Sequence, residues 1–271
     1  MRTIAVMNQK GGVGKTTTAV NLSAALAEEG SRVCLMDIDP QAHATLHLGL
    51  TPQPGETTIY DVLTGDVSLE AARSQVADNL WVVPSQIDLA AAEVELAGVV
   101  GRELILRDRL AAEPEAFDYV VIDCPPSLGM LTINALAAVE EVILPLQPHF
   151  LALHGLSKLL STLELVQRRL NQRLRLSGVV LCMYEAGTRL AGEVSRDVEQ
   201  FFAQGQERPG PWSAAQVFQT RVRRNIRLAE APSFGQSILR YAPDCHGAED
   251  YRALGKEVAS AVREMVQRRA A

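Results

Sequence analysis

Residues 10–17 of this chain are Lys10, Gly11, Gly12, Val13, Gly14, Lys15, Thr16 and Thr17. The chemistry open to such a run is phosphate binding. Glycines let backbone N–H groups turn inward around an anion, and a helix starting there adds partial positive charge. Lys15 is placed to contact the β- and γ-phosphates of a nucleotide, the Thr16 hydroxyl to ligate Mg2+, and Thr17 to reach the α-phosphate. An ordinary strand–turn–helix with packing glycines is the plainer alternative, and Gly14-Lys15-Thr16-Thr17 in that setting argues against it. Two carboxylates belong with the loop. Asp39 follows the apolar stretch 32–38 and Asp123 ends the stretch 119–122. In open α/β folds ligands gather at such strand ends, and a carboxylate buried there without a cation would be costly. Asp37 reads as structural.

These side chains need a frame to hold them. Residues 3–8 are a short apolar run broken by glycines. Residues 16–29 then carry Ala19, Leu22, Ala25 and Leu26 at helical spacing, and Gly30 stops the helix. With 32–38 this makes one βαβ unit whose strands are apolar enough to be central in a parallel sheet. Further strands are expected at 80–83, 119–122, 142–146 and 179–183, with a weaker one near Val217. Helices are expected at 87–97, 101–112, 130–138, 153–170, 190–203 and 249–268. The alternation predicts an α/β fold in one domain over residues 1–271: a doubly wound, mostly parallel sheet flanked by helices on both faces. Loops are expected at 51–57 and 205–213 from their Gly and Pro content.

Bulk properties narrow the options. The chain has 271 residues, 47% hydrophobic, with 26 basic against 32 acidic side chains and a net charge of -6. That excludes wrapping in nucleic acid by global charge and leaves room for a local basic patch. Cys34, Cys124, Cys182 and Cys245 are scattered and form no C-x-x-C pair, which reads as reduced thiols in a cytoplasmic protein. No apolar run reaches the ~18 residues of a membrane span. His43 and His47 are four apart, a weak zinc signal without a third ligand.

The usual phosphate-loop pattern places glycine at position 9, where this chain has Gln9, and a second lysine, Lys10, precedes the glycines. This loop resembles the deviant Walker A motif of the ParA/MinD family. Four further blocks resemble the family too: 37–41 (Asp-Ile-Asp-Pro-Gln), 118–127 (Asp-Tyr-Val-Val-Ile-Asp-Cys-Pro-Pro-Ser), 131–136 and 224–233. The resemblance covers nearly the whole chain, and the pattern is most like the short Soj-type partition ATPases.

The resemblance implies a P-loop NTPase that uses ATP and Mg2+. Lys15 would be the ordinary phosphate lysine. Lys10 would be the signature lysine that reaches across a sandwich homodimer to the partner's nucleotide, where a second cation stabilises charge built up in phosphoryl transfer. Asp39 would be the switch carboxylate that orients the attacking water and supports the Mg2+ shell, and Asp123 the carboxylate that holds Mg2+ through water. Arg224 and Asn225 match the segment near the adenine, although Arg223 stands where the family usually has proline. Arg221, Arg223, Arg224 and Arg227 would hold double-stranded DNA without sequence preference, as phosphate contacts suffice for that. Arg189, displaced by two residues from its usual place, is a further DNA candidate. A solvated loop, or pairing with Glu230, is the alternative.

The implied protein is a slow ATPase, cytoplasmic and nucleoid-associated, stimulated by a ParB-like centromere-binding protein. A MinD-like membrane-surface ATPase is the alternative, although the C-terminal stripe at Tyr251, Leu254, Val258, Val262 and Met265 is sparse and lacks bulky aromatics. A metabolic ligase on the same scaffold would need a second pocket, for which the sequence carries no motif.

Overall fold

The computed structural model describes residues 1–113, 116–149, 156–205 and 210–270, with side chains described for all of these except 205 and 261–270. Eight strands form one sheet: β1 (Arg2–Val6), β2 (Val33–Asp37), β3 (Ser74–Ala77), β4 (Leu80–Val83), β5 (Tyr119–Asp123), β6 (Glu141–Leu146), β7 (Arg175–Tyr184) and β8 (Gln216–Arg223). The helices are α1 (Lys15–Glu28), α2 (His43–His47), α3 (Ile59–Thr64), α4 (Leu69–Ala72), α5 (Leu89–Glu95), α6 (Ile105–Ala111), α7 (Met130–Ala138), α8 (Leu156–Arg169), α9 (Arg189–Gly205), α10 (Ile226–Glu230), α11 (Ile238–Tyr241) and α12 (His246–Ala270).

The sheet order is β3-β4-β2-β5-β1-β6-β7-β8. Every neighbouring pair is parallel except β3 with β4. The central strands are largely apolar between their ends because both faces are covered. Along β1, Ile4 and Val6 turn to one face and Ala5 to the other. Ile4 and Val6 pack with Leu22, Leu26, Leu254 and Val258 from α1 and α12. Ala5 belongs to the core on the other face, which also holds Ile59, Leu89, Leu106, Leu136, Leu163 and Phe202 from α3, α5, α6, α7, α8 and α9. The doubly wound, mostly parallel architecture expected from the alternation is the one present.

The differences from expectation have simple causes. β3 was not expected because Ser74, Gln75 and Ala77 are exposed on an antiparallel edge, where no apolar pattern is required. The weak strand near Val217 is an eight-residue edge strand with an irregular register against β7. Its half-buried residues alternate poorly and hide the period. The helix expected at 101–112 begins with a 3-10 turn at Arg102–Leu104, and regular helix starts only at Ile105. The expected start of the 153–170 helix, at 153–155, and residues 206–209 of the 205–213 loop lie outside the described residues.

Within α12, Tyr251, Leu254 and Val258 are 1%, 0% and 0% exposed. This part of the C-terminal stripe is therefore spent on the domain's own core. The side chains of Val262 and Met265 lie outside the described ones. No helix among the described residues is long and apolar enough to cross a membrane. Cys34, Cys124 and Cys182 are buried and Cys245 half-buried, and all four are free thiols.

Candidate active site

Parallel pairing brings the sequence-distant carboxylates together. Val6, the last residue of β1, pairs with Asp123, and Asp123 pairs with Asp37 on its other side. The ends of β1, β5 and β2 are thus adjacent, and the glycine loop springs from the first of them. Ligands collect at this edge of such a sheet.

The loop's glycines are needed for backbone shape. Gly12 and Gly14 have φ of 72° and 91°, in the left-handed region where a side chain is strained. A Cβ at Gly14 would stand in van der Waals contact with Cys182 Cβ, 3.4 Å away, so space alone would not demand glycine there. Gly11 and Gly12 are exposed and Val13 is 2% exposed, so Val13 anchors the loop while the glycines stay accessible.

Lys15 opens α1 and is largely buried. Its ammonium donates to the Lys10 carbonyl at 3.0 Å. Burial pushes its pKa down, opposed by the charges of Asp123 and Asp39. The Thr16 hydroxyl donates to Asp123 Oδ2 at 2.7 Å. Asp123 is fully buried, and its other oxygen, Oδ1, has no hydrogen-bond partner. Burial and then the neighbouring Asp37 charge drive the Asp123 carboxyl well above the ordinary carboxylate range. Asp39 is 8% exposed, and its Oδ1 accepts the Gln41 N–H at 3.0 Å.

An orphaned buried carboxylate oxygen beside a threonine hydroxyl fits a hard divalent cation. Mg2+ is typically held by one or two carboxylates together with substrate phosphates rather than by a cage of protein ligands, and the donors here are of that kind. Asp123 and Thr16 would hold it and Asp39 would stand close by. The cation would supply neutralisation of phosphate charge.

Asp37 has the structural role expected of it. It accepts from the Thr45 hydroxyl and N–H and from the Asp39 N–H, and burial pushes its carboxyl up to about 6. His43 and His47 do not combine. His43 is exposed while His47 is 2% exposed, and no group of three potential ligands meets among the described residues.

Lys10 behaves differently from Lys15. It is exposed, its N–H is held by Asn8 Oδ1 at 3.0 Å, and its ammonium meets His149 Nε2. Partial burial and the Lys10 charge push the His149 pKa down. The two lysines of the loop thus have separate surroundings.

The basic segments are joined by the β7–β8 pairing, in which Tyr184 is opposite Arg223. Arg224 donates to Glu185 at 2.8 Å, which ties residues 185–189 to residues 221–227. The five arginines are not equivalent. Arg221 is bound to Glu199 on α9 at 2.9 Å and lies over the Tyr184 ring. Arg223 clamps Asp250 on α12, through its N–H at 2.8 Å and its guanidinium at 2.6 Å. The N–H contact is one that proline, which has no N–H to give, could not make at this position. Arg227 pairs with Glu230 and Arg189 with Glu193, yet the side chains of Arg189, Arg224 and Arg227 remain 92%, 71% and 54% exposed. Exposed pairs of this kind are weak and exchange readily for other anions. Asn225 caps α10, its side chain accepting the Arg227 N–H at 2.9 Å. Sequence reasoning missed Thr45 and Ser85, which contact the Asp37–Asp39 segment, because a lone hydroxyl outside a motif carries no signal.

A family model described as an AAA domain matches residues 1–176. The sporulation initiation inhibitor protein Soj of Bacillus subtilis is 46% identical over 258 residues, covering 95% of this chain and 98% of Soj. The chromosome partitioning protein ParA of Caulobacter vibrioides is 43% identical over 267 residues, covering 97% and 96%. Among solved structures, the Mycobacterium smegmatis protein described as cobyrinic acid a,c-diamide synthase, with bound ATP analogue and magnesium, is 37% identical. It superposes with a TM-score of 0.79, covering 94% of this chain and 93% of that one.

Proposed function

The chain belongs to the Soj/ParA family of chromosome-partitioning ATPases, and from that premise we propose that it is a switch in which ATP controls dimerisation and, through it, DNA binding. The chain is a P-loop ATPase using ATP and Mg2+. In the proposed cycle, two ATP-bound copies close face to face and Lys10 of each completes the other's site. The dimer holds double-stranded DNA without sequence preference, hydrolysis is stimulated by a ParB-like partner, and the released monomers leave the DNA. The protein would therefore be cytoplasmic and nucleoid-associated.

The observation that carries this reading is the contrast between the two lysines. Lys15 is largely buried against Asp123 and Asp39, whereas Lys10 is exposed at the loop's rim with its ammonium at His149. A cation so placed is available to a second molecule. Within each active site, Lys15 would bind phosphate, Thr16 and Asp123 would hold the metal, and Asp39 would orient water for in-line attack. The M. smegmatis protein is described as a diamide synthase; the higher identity of the partition proteins, 46% and 43% against 37%, favours partition.

DNA affinity measured with ATP, with ADP and without nucleotide, across a salt series, tests the switch. Binding should need ATP and fall steeply with salt. Equal binding in all three states would exclude the cycle. ATP-dependent co-sedimentation with liposomes, without DNA binding, would favour a membrane surface instead.

Arg224→Ala should weaken ATP-state DNA binding while dimerisation persists, and lower the salt slope by about one for each phosphate that the dimer no longer neutralises. Fluorescence anisotropy on a nonspecific duplex reads both quantities. Unchanged affinity would remove this segment from the interface. Arg223→Ala is a poorer probe, since it also strips the guanidinium from Asp250, leaving only the N–H contact, and loosens α12 from β8.

A further inference from the structure

Asp39 sits on an irregular stretch between β2 and α2, yet both its N–H and its carbonyl are held by side chains, one local and one from the end of β4. Its N–H donates to Asp37 Oδ1 at 3.1 Å. Its carbonyl accepts the Ser85 hydroxyl at 2.8 Å. The Ser85 N–H donates to Thr45 Oγ1 at 2.9 Å. The Thr45 hydroxyl donates to Asp37 Oδ2 at 2.7 Å, and the Thr45 N–H to the same oxygen at 2.8 Å. The hydrogen bonds therefore close a ring from Asp39 through Asp37, Thr45 and Ser85 back to Asp39. Ser85, Thr45 and Asp37 are 1%, 0% and 0% exposed, so water does not compete for these contacts.

The ring joins the ends of β2 and β4 to the first turns of α2. β2 and β4 are paired up to Met36 and Val83, which brings Ser85, two residues on, level with Ile38 and puts its hydroxyl within reach of the next carbonyl, that of Asp39. The segment it grips is strained. Ala42 has φ of 54° and donates its N–H to the same Asp39 carbonyl, at 2.8 Å. A non-glycine residue keeps such a conformation only where its surroundings over-determine it. The carboxylate is then aimed by the Gln41 N–H on Oδ1. Removal of the Ser85 hydroxyl would take away one of two donors at the Asp39 carbonyl, and with it a tie from the end of β4.

We infer that Ser85, supported by Thr45, is a positioning residue for Asp39, holding its carboxylate where it must stand to orient the attacking water. This rests on the reading of Asp39 as the water-orienting group. Outer contacts of this kind are commonly worth about tenfold to a hundredfold in activity, and small misplacements of a reacting group have comparable effects.

The test measures ATP turnover, affinity for a fluorescent ATP analogue and melting temperature in the full chain. Ser85→Ala should lower kcat about tenfold while nucleotide affinity and melting temperature stay near the parent. Unchanged kcat would overturn the inference. So would a parallel fall of kcat, affinity and melting temperature, which marks a general loss of structure. Should Ser85→Ala fail to fold, Thr45→Ser and Thr45→Val decide. Serine keeps the hydroxyl and should retain turnover, and valine should lose it. Equal turnover in the two would overturn the inference. Asp39→Ala distinguishes the premise: native turnover in that variant sinks the reading of Asp39 itself, whereas lost turnover there with native turnover in Ser85→Ala sinks only the ring.

Discussion

Lys15→Ala is expected to abolish every nucleotide-dependent behaviour of this protein. Hydrogen bonds to a charged partner are worth about 1.5–3 kcal/mol, or roughly tenfold to a hundredfold in affinity. Loss of a preorganised donor to charge developing in the transition state costs a further ~10²–10³ in turnover. Lys15 is suited to both because it is already desolvated. Burial lowers its pKa while Asp123 and Asp39 hold the charge in place. The variant loses one hydrogen bond to the Lys10 carbonyl, so its melting temperature should stay within about 4 °C of the parent. Titration with a fluorescent nucleotide and a phosphate-release assay check both effects. Retained turnover in a folded variant would mean that phosphate is bound elsewhere.

Asp39→Ala should separate binding from chemistry. Turnover should fall by about 10²–10⁴, the usual worth of a positioned group that handles the attacking water's proton. ATP-dependent association and DNA binding should persist and become long-lived, because the step that ends them is removed. The fold should tolerate the change. The Asp39 contacts to Asp37 and Ser85 are made by its backbone N–H and carbonyl, which alanine keeps, and only the carboxylate's bond to Gln41 N–H disappears. DNA dissociation timed after ATP is chased, beside phosphate release, reads the two effects. Rapid hydrolysis, or loss of ATP-dependent DNA binding, would show that Asp39 has a different role.

Both variants act within one site, and that site has an electrostatic asymmetry. Asp37, Asp39 and Asp123 converge where Lys15 is the cation placed against them, and burial and mutual repulsion push Asp37 and Asp123 upward. A bound divalent cation would reverse that push for Asp123 by favouring its charged form. The site is thus costly when bare and is relieved by the species it would bind. The exposed Lys10 lies outside this balance, as the proposed cycle requires.

The phosphate loop was legible in the sequence because its requirements are local. Glycine is the residue that takes φ of 72° and 91° without strain, and a lysine followed by two threonines at a helix start has few other uses. The sheet was legible where strands are buried on both faces, since an apolar run such as residues 119–122 has little other reason to exist. Legibility failed at the edges. β3 and β8 are half-solvated, so their residues answer to neighbours rather than to a period, and the register of β8 against β7 shifts twice.

Sequence alone determined the backbone shape of the glycine loop, the two-sided α/β frame and the family to which the chain belongs. Tertiary structure decided what neighbours do to those residues. It divided the arginines into Arg221 and Arg223, committed to α9 and α12, and the exposed Arg189, Arg224 and Arg227. It also drew Ser85 and Thr45 into a ring around Asp39. The reason is the range of the interactions. Backbone conformation and helix initiation depend on residues a few positions apart, whereas an ion pair or a buried hydroxyl depends on which strand ends the sheet order makes neighbours.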